Sequence, residues 1–383
     1  MNIRKEIIAI KKLLTILGST TLLVIPTISV LSCKTINAIS TAEEYNPESI
    51  KDQVEKYLQK AKYKDNECVQ IGYFQNKNKE IQIVPFKPTT TKVPSSLPNQ
   101  ITSLKEAFKG LQTSSVEGIQ NWDTSKITDM TSVFDTTNEF NQDISNWNTS
   151  EVTNMNFMFT RAKKFNQNLN NWKTENVKSM RGMFKQTDQF NGDISSWNVS
   201  KVTDMHSMFH SAKEFNSNIK DWKTDSLTDI SSMFKNTEKF NQDLNSWKTD
   251  KVTLMINTFQ NTKEFNSNIK DWKTDAVTSM KGMFNKAVKF DQDISTWKTD
   301  KVTDMSYMFD GAEKFNKDIS SWKVETVQNF NGMLRNAKEF DKELKKWTFE
   351  DEIKSDKRFE FAKGTKLENQ TDKLPTWKKA TAK

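Results

Sequence analysis

The sequence predicts an α/β repeat solenoid, in which 25-residue units stack along one axis and each unit adds one short strand and one short helix. The first observation is a column of ten tryptophans, each 25 residues after the last: Trp122, Trp147, Trp172, Trp197, Trp222, Trp247, Trp272, Trp297, Trp322 and Trp347. The second is an apolar pattern with the same period, and the third is a composition dominated by 25 phenylalanines and 15 methionines. A fixed period between about 20 and 50 residues is typical of proteins whose units bury their apolar faces only against their neighbours.

One unit, residues 290–315, shows how the strand and the helix are assigned. The helix is predicted from apolar residues at helical spacing: Val302, Met305, Met308, Phe309 and Ala312. Thr303 is well placed as the N-cap, because its hydroxyl can accept a hydrogen bond from a free amide at the helix start. Residues 294–297 lack helical spacing and predict the strand. One strand and one short helix in 25 residues is leucine-rich-repeat-like geometry, with a stacked parallel sheet that rises about 4.8 Å per unit.

The charge and composition restrict the classes of function. The net charge is +8, which can indicate binding to nucleic acid or to an anionic surface. Lysine and aspartate nevertheless alternate closely along the units, so that no long run of one sign occurs. We therefore interpret the charge as a solvated surface and do not expect nucleic acid as a partner. Ten glycines and seven prolines are too few for a collagen-like or a glycine-rich calcium-binding repeat.

Residues 1–33 have the features of a lipoprotein signal peptide. Four basic residues lie in the first twelve positions, and residues 13–31 are mostly apolar. Residues 30–33 (VLSC) resemble a bacterial lipobox, in which the cysteine thiol is diacylglycerated and becomes the mature N-terminus. Cys33 is therefore the predicted lipidation site, and its two acyl chains would anchor the protein at the extracellular face of the plasma membrane. The alternative is an uncleaved membrane anchor, because 19 apolar-rich residues can just span a bilayer.

Residues 34–96 lack the repeat and are predicted to be a tether followed by a small base. Asn46 and Pro47 are suited to the cap and the first position of a helix that extends to about residue 58. Two later segments predict a hairpin: 69–74 and 80–84. Cys68 has no partner if Cys33 is acylated, and we expect it to be a small buried hydrophobic residue.

Three further segments are predicted: a degenerate capping unit at 97–121, the regular repeat at 122–347, and a C-terminal cap and tail at 348–383. In the first of these, Ser103 and Glu106 have the spacing of a capping box that opens a short helix. In the last, Phe359 and Ala362 continue the 25-residue period and predict the helical half of a final unit.

An asparagine or aspartate follows the repeat phenylalanine in nine successive units: Asn141, Asn166, Asn191, Asn216, Asn241, Asn266, Asp291, Asn316 and Asp341. We expect a buried ladder in which these side chains bond to the turn backbone of neighbouring units. The rival interpretation is a metal or ligand ladder that includes nearby carboxylates: Asp143, Asp193, Asp243, Asp293 and Asp318. Three asparagines interrupt that carboxylate set, namely Asn168, Asn218 and Asn268, and so we favour the hydrogen-bonded ladder.

The sequence offers little for catalysis. His206 and His210 are the only histidines, and their spacing on a helix could hold zinc. The same positions in other units carry unrelated residues, and no third ligand accompanies the pair. No Ser-His-Asp set, phosphate-binding loop or thiol nucleophile is recognisable. We therefore expect no enzymatic activity, no catalytic or metal-binding residues and no cofactor.

Two segments carry a resemblance to a known family: 140–147 (FNQDISNW) and 301–309 (KVTDMSYMF). They resemble the repeats of the BspA-type leucine-rich-repeat surface lipoproteins of mycoplasmas, a family of unknown function also called PARCEL proteins. Residues 93–98 are similar to the entry segment of the same family, and the resemblance extends over about residues 93–365. It implies a surface-exposed lipoprotein with a leucine-rich-repeat-like solenoid, used in contacts with host or matrix and variable between strains. It supplies no catalytic residues.

The leading hypothesis for function is a lipid-anchored cell-surface protein that mediates adhesion or protein interaction without enzymatic activity. Its partner would be a host or matrix macromolecule, and no specific small-molecule substrate is expected. One alternative is a polyanion or glycan binder that uses ladders of Trp and Lys. That alternative needs exposed tryptophans, whereas we expect them to be buried, because an exposed stripe of ten would promote aggregation. The other alternative is a passive, variable antigenic coat. Identical segments at 213–225 and 263–275 (KEFNSNIKDWKTD) favour gain and loss of units.

Binding specificity should come from positions that differ between units, because the core positions are nearly uniform. Four of these are on the predicted helix: Arg181, His206, Ile256 and Lys281. Three others follow the tryptophans: Lys173, Asn198 and Val324. We expect a binding surface that extends over several adjacent units.

Overall fold

The computed structural model describes residues 42–349 and 352–377. Six strands lie in the first part of the compact unit Glu43–Lys383: β1 Glu43–Tyr45, β2 Val54–Gln59, β3 Ala61–Lys64, β4 Glu67–Gln70, β5 Tyr73–Asn76 and β6 Ile81–Ile83. They form two three-stranded antiparallel sheets, ordered β1-β3-β4 and β2-β5-β6. Three single turns of 3-10 helix complete the regular elements: Glu48–Ile50, Ile119–Asn121 and Ser355–Lys357. The described residues contain no α-helix, and the prediction of an α/β solenoid is therefore wrong.

The segment predicted as a helix in each unit is a series of tight turns. In residues 302–312, the Met308 amide bonds to the Met305 carbonyl at 3.2 Å, and the Ala312 amide bonds to the Phe309 carbonyl at 3.0 Å. Tyr307 has φ +57°. A residue in this left-handed region interrupts a right-handed helix. The helix was mispredicted because apolar residues three apart in sequence are common to a helix and to successive three-residue turns. Thr303 caps no helix, and its amide bonds to the Thr278 carbonyl of the preceding unit.

These turns leave alternate amides free to bond to the next unit, which we call the next rung. The amides of Met305, Tyr307 and Phe309 donate to carbonyls 24 residues later in the chain, at 2.9, 2.8 and 2.7 Å. The same pattern recurs along the stack. We call the segment that carries it the turn ribbon, namely residues 129–136 and their equivalents every 25 residues up to 329–336. Successive backbone amides of the turn ribbon therefore bond alternately to a carbonyl of the next rung and to an oxygen of their own turn.

The predicted parallel sheet is also absent from the described repeat. Adjacent rungs share single parallel bridge pairs, such as Asp204 with Asp229, which do not extend into strands. The segment predicted as a strand, 294–297, is a turn closed by the Trp297 amide and the Ile294 carbonyl at 3.1 Å.

Columns of stacked aromatic rings fill the core. The rings of Trp197 and Trp222 lie 6.1 Å apart with planes inclined by 7°. Phe209 stacks on Phe215 of its neighbouring segment at 3.8 Å and on Phe234 of the next rung at 5.8 Å. The ten repeat tryptophans are only 2–4% exposed, which confirms that they are buried.

Each repeat tryptophan also joins two rungs by a hydrogen bond. The Nε1 of Trp222 donates to the Ile194 carbonyl at 3.1 Å. The other nine indoles make the equivalent bond, each to a carbonyl 28 residues earlier. A buried indole N–H needs such a partner. The tryptophans therefore provide both the apolar contact and a polar link between rungs.

The base differs from its prediction. Asn46 and Pro47 open only the 3-10 turn Glu48–Ile50, without a side-chain cap, and the chain then enters β2. The expected hairpin is present, but it pairs β5 with β6. The capping-box helix is absent, since Glu106 has φ +60° and lies within a turn. The base continues directly into the stack, because Glu67 of β4 forms a parallel bridge with Lys92.

The last rung is displaced by three residues. The Leu334 amide bonds to the Phe361 carbonyl, 27 residues later instead of the usual 24. The predicted alignment of Phe359 and Ala362 is therefore wrong, and Phe359 is 61% exposed. Trp377 stacks on Phe349 at 4.9 Å, which covers the aromatic end of the stack.

We expect Trp222→Ala to lower the free energy of unfolding by about 3–5 kcal/mol, because it removes a fully packed ring from the core. Trp222→Phe is the matched control. It keeps a ring but leaves the Ile194 carbonyl without its donor, at a cost of about 1–3 kcal/mol. Urea denaturation gives both values, and hydrogen exchange should localise the loss to the adjacent rungs. An unchanged unfolding curve for Trp222→Ala would contradict this role.

The turn ribbon allows a second test, since Gly182 packs under the Phe157 ring of the preceding rung. A Cβ at Gly182 would lie 2.6 Å from a Phe157 ring carbon. We expect Gly182→Ser to destabilise the protein by about 1–3 kcal/mol through overpacking. Adding Phe157→Ser should recover part of that loss, because Ser207 and Ser232 already occupy these positions in consecutive rungs. Strictly additive effects in a double-mutant cycle would refute the contact.

Candidate functional site

The predicted site residues lie in different parts of the chain. Cys33, the predicted lipidation site, and the predicted signal peptide at 1–33 are outside the described residues. Within the part of the chain that the structure describes, no three His, Cys, Asp or Glu side chains are grouped to hold a metal ion. In that same part, no helix has the length and apolar character needed to cross a membrane.

The turn ribbon carries several of the side chains that vary between units. Arg181, His206, Ile256 and Lys281 occupy equivalent places on it, on turns and not on the helix that we predicted. Beside them runs a second set of equivalent residues, which we call the central column: Asp135, Thr160, Lys185, His210, Lys235, Gln260, Asn285, Asp310 and Arg335. Since each rung lies directly on the next, every side chain of the column has its equivalents as neighbours.

Complementary contacts join one half of the central column. The amide of Gln260 donates to Asn285 at 3.0 Å, and the amide of Asn285 donates to the buried carboxylate of Asp310 at 3.0 Å. Arg335 donates to the same carboxylate at 2.7 Å and also to Glu360 at 3.0 Å. These bonds cross five rungs and satisfy the charge of Asp310.

The two histidines belong to one rung but have different surroundings. His206 lies 3.6 Å from the Asp229 carboxylate of the next rung. Burial, followed by the positive charges of Lys185 and Lys235, lowers the pKa of His210 to about 4. His210 is therefore neutral at pH 7, with cations on both sides. A zinc ion bound at His210 would be repelled by both lysines.

The residues after the tryptophans form a separate surface. Lys173 and Asn198 are exposed, as specificity positions should be, but Val324 is only 1% exposed. It replaces a column of buried threonines, one of which is Thr299, whose hydroxyl donates to the Lys323 carbonyl at 2.6 Å. Val324 therefore belongs to the core, and its prediction as a specificity residue is wrong.

The identical segments 213–225 and 263–275 produce two matching clefts. Their volumes are about 500 and 370 Å³, and each is lined by lysine and aspartate around the edge of a tryptophan. In the first cleft, Lys248 pairs with Asp225 at 2.7 Å. The clefts repeat two units apart because the sequence does.

The asparagine ladder is present but lies at the surface. The Oδ1 of each member accepts a hydrogen bond from the backbone amide of the next member, over the whole set from Asn141 to Asp341. For example, Asn141 accepts from Asn166 at 2.9 Å. The expectation that the ladder would be buried is wrong, since most members are exposed. Aspartate can replace asparagine here because only an acceptor oxygen is required.

The carboxylates of the rival metal ladder have a local role. The Oδ1 of Asp143 accepts the Ser145 amide at 2.8 Å, and Asn168 accepts the Asn170 amide at the same distance. Both are side-chain turns that span two residues. The alternation of Asp and Asn in this column therefore follows from turn geometry, which needs one oxygen and no charge.

Ion pairs between rungs line the edge that precedes the repeat phenylalanines. Lys164 pairs with Glu139 at 2.6 Å, and Lys338 pairs with Glu313 at 2.8 Å, each exactly one unit apart in sequence. Exposed pairs of this kind contribute about 0–1 kcal/mol each. Their main effect is on which units can stack, because a rung with a lysine at this edge stacks best beside a rung with a glutamate there.

Cys68 is 3% exposed, which confirms that it is a small buried residue. Burial raises the pKa of its thiol to about 12, so it is not a nucleophile at neutral pH.

Sequence reasoning missed Lys185, and it missed three residues of the turn ribbon that line a surface groove: Lys235, Lys286 and Tyr307. Aligning the units in steps of 25 would have placed Lys185, His210 and Lys235 in one column, so the signal was available. The period alone gives the column, whereas the ion pairs that occupy the nearby carboxylates are visible only in the structure.

Comparison with known proteins identifies the family. A family model described as "Mycoplasma protein of unknown function, DUF285" matches residues 102–213, 189–280 and 254–373. No curated protein and no solved structure matches the chain. The three matches overlap and extend over more than half of the sequence, in the segment that contains the stacked rungs. The chain therefore belongs to this mycoplasma repeat family of unknown function.

Proposed function

We propose that this protein is a lipid-anchored cell-surface repeat protein that adheres to macromolecules of a host or its matrix, without enzymatic activity. The observation that supports the proposal most is that inward-facing and outward-facing positions differ in how much their side chains vary between units. The inward-facing aromatic positions are nearly uniform from rung to rung, whereas the variable positions of the turn ribbon, such as Arg181, His206 and Lys281, are half-buried or exposed and change their side chains. A stack of rungs presents a long, repetitive surface that suits extended contacts better than it suits a catalytic centre.

The anchor is proposed on the sequence of residues 30–33. A diacylglyceryl group on Cys33 would hold the protein at the extracellular face of the plasma membrane. The BspA-type resemblance supports the same location. The tether that we expect after Cys33 would then connect the rungs to the membrane surface.

The anchor can be tested with the two cysteines of the chain. We expect labelled palmitate to enter the full chain and the protein to partition into detergent, and Cys33→Ala should abolish both. Cys68→Ala is the matched control and should keep both, because Cys68 is buried in the base. Continued labelling of Cys33→Ala would contradict the anchor.

The alternatives differ in what they require of the surface. A glycan binder that stacks its ligand on tryptophans is not supported, because the indole rings pack against one another inside the stack. A passive antigenic coat requires only that units can be gained and lost. The duplicated segments support it, and it is distinguished from an adhesin by a binding measurement.

Deletion of residues 240–264, one full period, should leave a folded but shorter stack. The ring of Phe265 would meet Phe215 as Phe240 does now, at a centroid distance of 5.9 Å. Bacteria that produce the full chain should adhere to animal-cell monolayers, and the deletion should weaken adhesion without abolishing it.

Deletion of residues 240–251 is the control. It removes half a period, and it should reduce the ordered circular dichroism signal far more than the full-period deletion does, because it places polar residues in the core and interrupts the stack. Loss of structure in the full-period deletion would refute independent rungs. Adhesion equal to that of bacteria without the protein would refute the adhesin and favour the passive coat.

A further inference from the structure

Two lysines and the histidine between them are stacked in the middle of the central column. Lys185, His210 and Lys235 occupy equivalent positions in three consecutive rungs. The backbone next to them is hydrogen-bonded, because Gln186 donates to the His210 carbonyl and Ser211 donates to the Lys235 carbonyl, both at 2.7 Å. Neighbouring rungs joined in this way are about 4.8 Å apart. The backbone therefore holds the three residues in a line, and their side chains begin about one rung apart.

No counter-charge accompanies this line. The nearby carboxylates have other partners, since Asp204 pairs with Arg181 and Asp188 with Lys213. Asp229 accepts the Ser231 amide at 2.7 Å and lies 3.6 Å from the His206 ring. Within residues 42–349 and 352–377, Lys185 and Lys235 form no salt bridge, and both side chains are half-buried.

Elsewhere in the central column the charged side chains have partners of opposite charge, which makes the segment from Lys185 to Lys235 exceptional. Asp310 receives Asn285 and Arg335, and Asp135 receives Arg161 at 3.1 Å. The fold can thus complement a charge at this position. Half-buried like charges without a partner raise the energy of the free protein, and an anion that lies along them would remove that cost.

A groove continues from Lys235 towards the C-terminal rungs. It has a volume of about 440 Å³ and is lined by Lys235, Lys281 and Lys286 together with amide side chains, including Asn257 and Gln260. Lys281 and Lys286 are exposed. From Lys185 to Lys286 the cations extend over four rung steps, or about 19 Å.

Lys185 and Lys235 lie on one line along the stack, and Lys281 and Lys286 continue in the same direction on two other columns of the turn ribbon. An occupant that contacts all four must be long, linear and anionic. Proteins that bind single-stranded nucleic acid add aromatic platforms on which bases stack. Here the tryptophans are buried, and Tyr307 has Gly332 packed against its ring on one side and Arg335 at 5.2 Å. A polysaccharide with sulfate or carboxylate groups needs only cations and hydrogen-bonding side chains.

We propose that the turn ribbon from Lys185 to Lys286 binds a linear anionic polysaccharide along the direction of stacking. The inference rests on the proposed function, since it names the class of partner for the adhesive surface. Sulfate or carboxylate groups would lie over the Lys185–His210–Lys235 line, and the sugar hydroxyls would meet the amides of the groove.

The test measures binding of heparin, as a model sulfated polysaccharide, to the full chain over a series of salt concentrations. The double variant Lys185→Gln, Lys235→Gln should weaken binding by about tenfold and reduce the salt dependence, because fewer counterions are released. Glutamine is suitable because Gln260 occupies the same column naturally. The matched control is Lys239→Gln, Lys289→Gln, which removes the same charge from lysines already paired with Glu214 and Glu264. It should bind as the natural chain does.

The pH dependence gives a second readout. His210 faces Lys185, Lys235 and His206, and its pKa is about 4 in the free protein. A bound polyanion offsets the repulsion from the two lysines and raises that pKa, so binding takes up a proton. Affinity for heparin should therefore increase as the pH falls from 7 to 5, and His210→Gln should reduce the increase.

The outcomes separate the two proposals. Equal binding by the double variant and its control would overturn this inference, as would tighter binding of single-stranded DNA than of heparin at the same salt concentration. Adhesion to animal cells without any binding of heparin would also overturn it, while leaving the adhesin intact. Binding of heparin that depends on Lys185 and Lys235, in a protein that confers no adhesion, would support the surface and refute the proposed function.

Discussion

The hydrogen bond from every second amide of the turn ribbon to a carbonyl of the next rung is the interaction on which the rest of the structure depends. It requires two left-handed residues in each rung, such as Ser207 and Ser211. Each left-handed residue costs about 1–2 kcal/mol unless it is glycine. In return, the Ser207 amide reaches the Ser231 carbonyl and the Ser211 amide reaches the Lys235 carbonyl, at 2.9 and 2.7 Å. Because these bonds join residues 24 apart, the length of a rung cannot change without breaking the set.

Two further bonds enforce the same period from other sides of the rung. The Trp222 indole reaches the Ile194 carbonyl inside the stack, and Asn216 receives the Asn241 amide at its surface. An insertion would have to preserve all three bonds together, which explains why none occurs between Trp122 and Trp347. The three extra residues before Phe361 come where the tryptophan column has ended and Trp377 closes the stack.

The prediction from sequence was accurate for contacts that repeat with the period. It was wrong for features that depend on the backbone conformation within a unit. The buried tryptophans and the ladder from Asn141 followed from periodicity alone. The helix did not, because Val302, Met305 and Met308 fit a helix and a turn ribbon equally well, and Tyr307 gives no sign of its positive φ. For the site, the variable positions were found, but their alignment into a cationic line was not. The alignment follows from the 25-residue period, whereas the ion pairs that occupy the nearby carboxylates follow only from the structure.

The same alignment decides which charges meet at the edge that precedes the repeat phenylalanines. In a stack, each exposed charge has its own equivalent as a neighbour, so a unit copied next to itself would place like charges together. The edge of the stack avoids this by alternation: Glu214 meets Lys239, and Lys263 meets Glu238. A segment copied two units away, as 263–275 is from 213–225, meets the same sequence of signs and keeps these pairs. The line of Lys185, His210 and Lys235 lacks this alternation, and neither lysine forms a salt bridge within residues 42–349 and 352–377, so the proposed polysaccharide would supply the counter-charge.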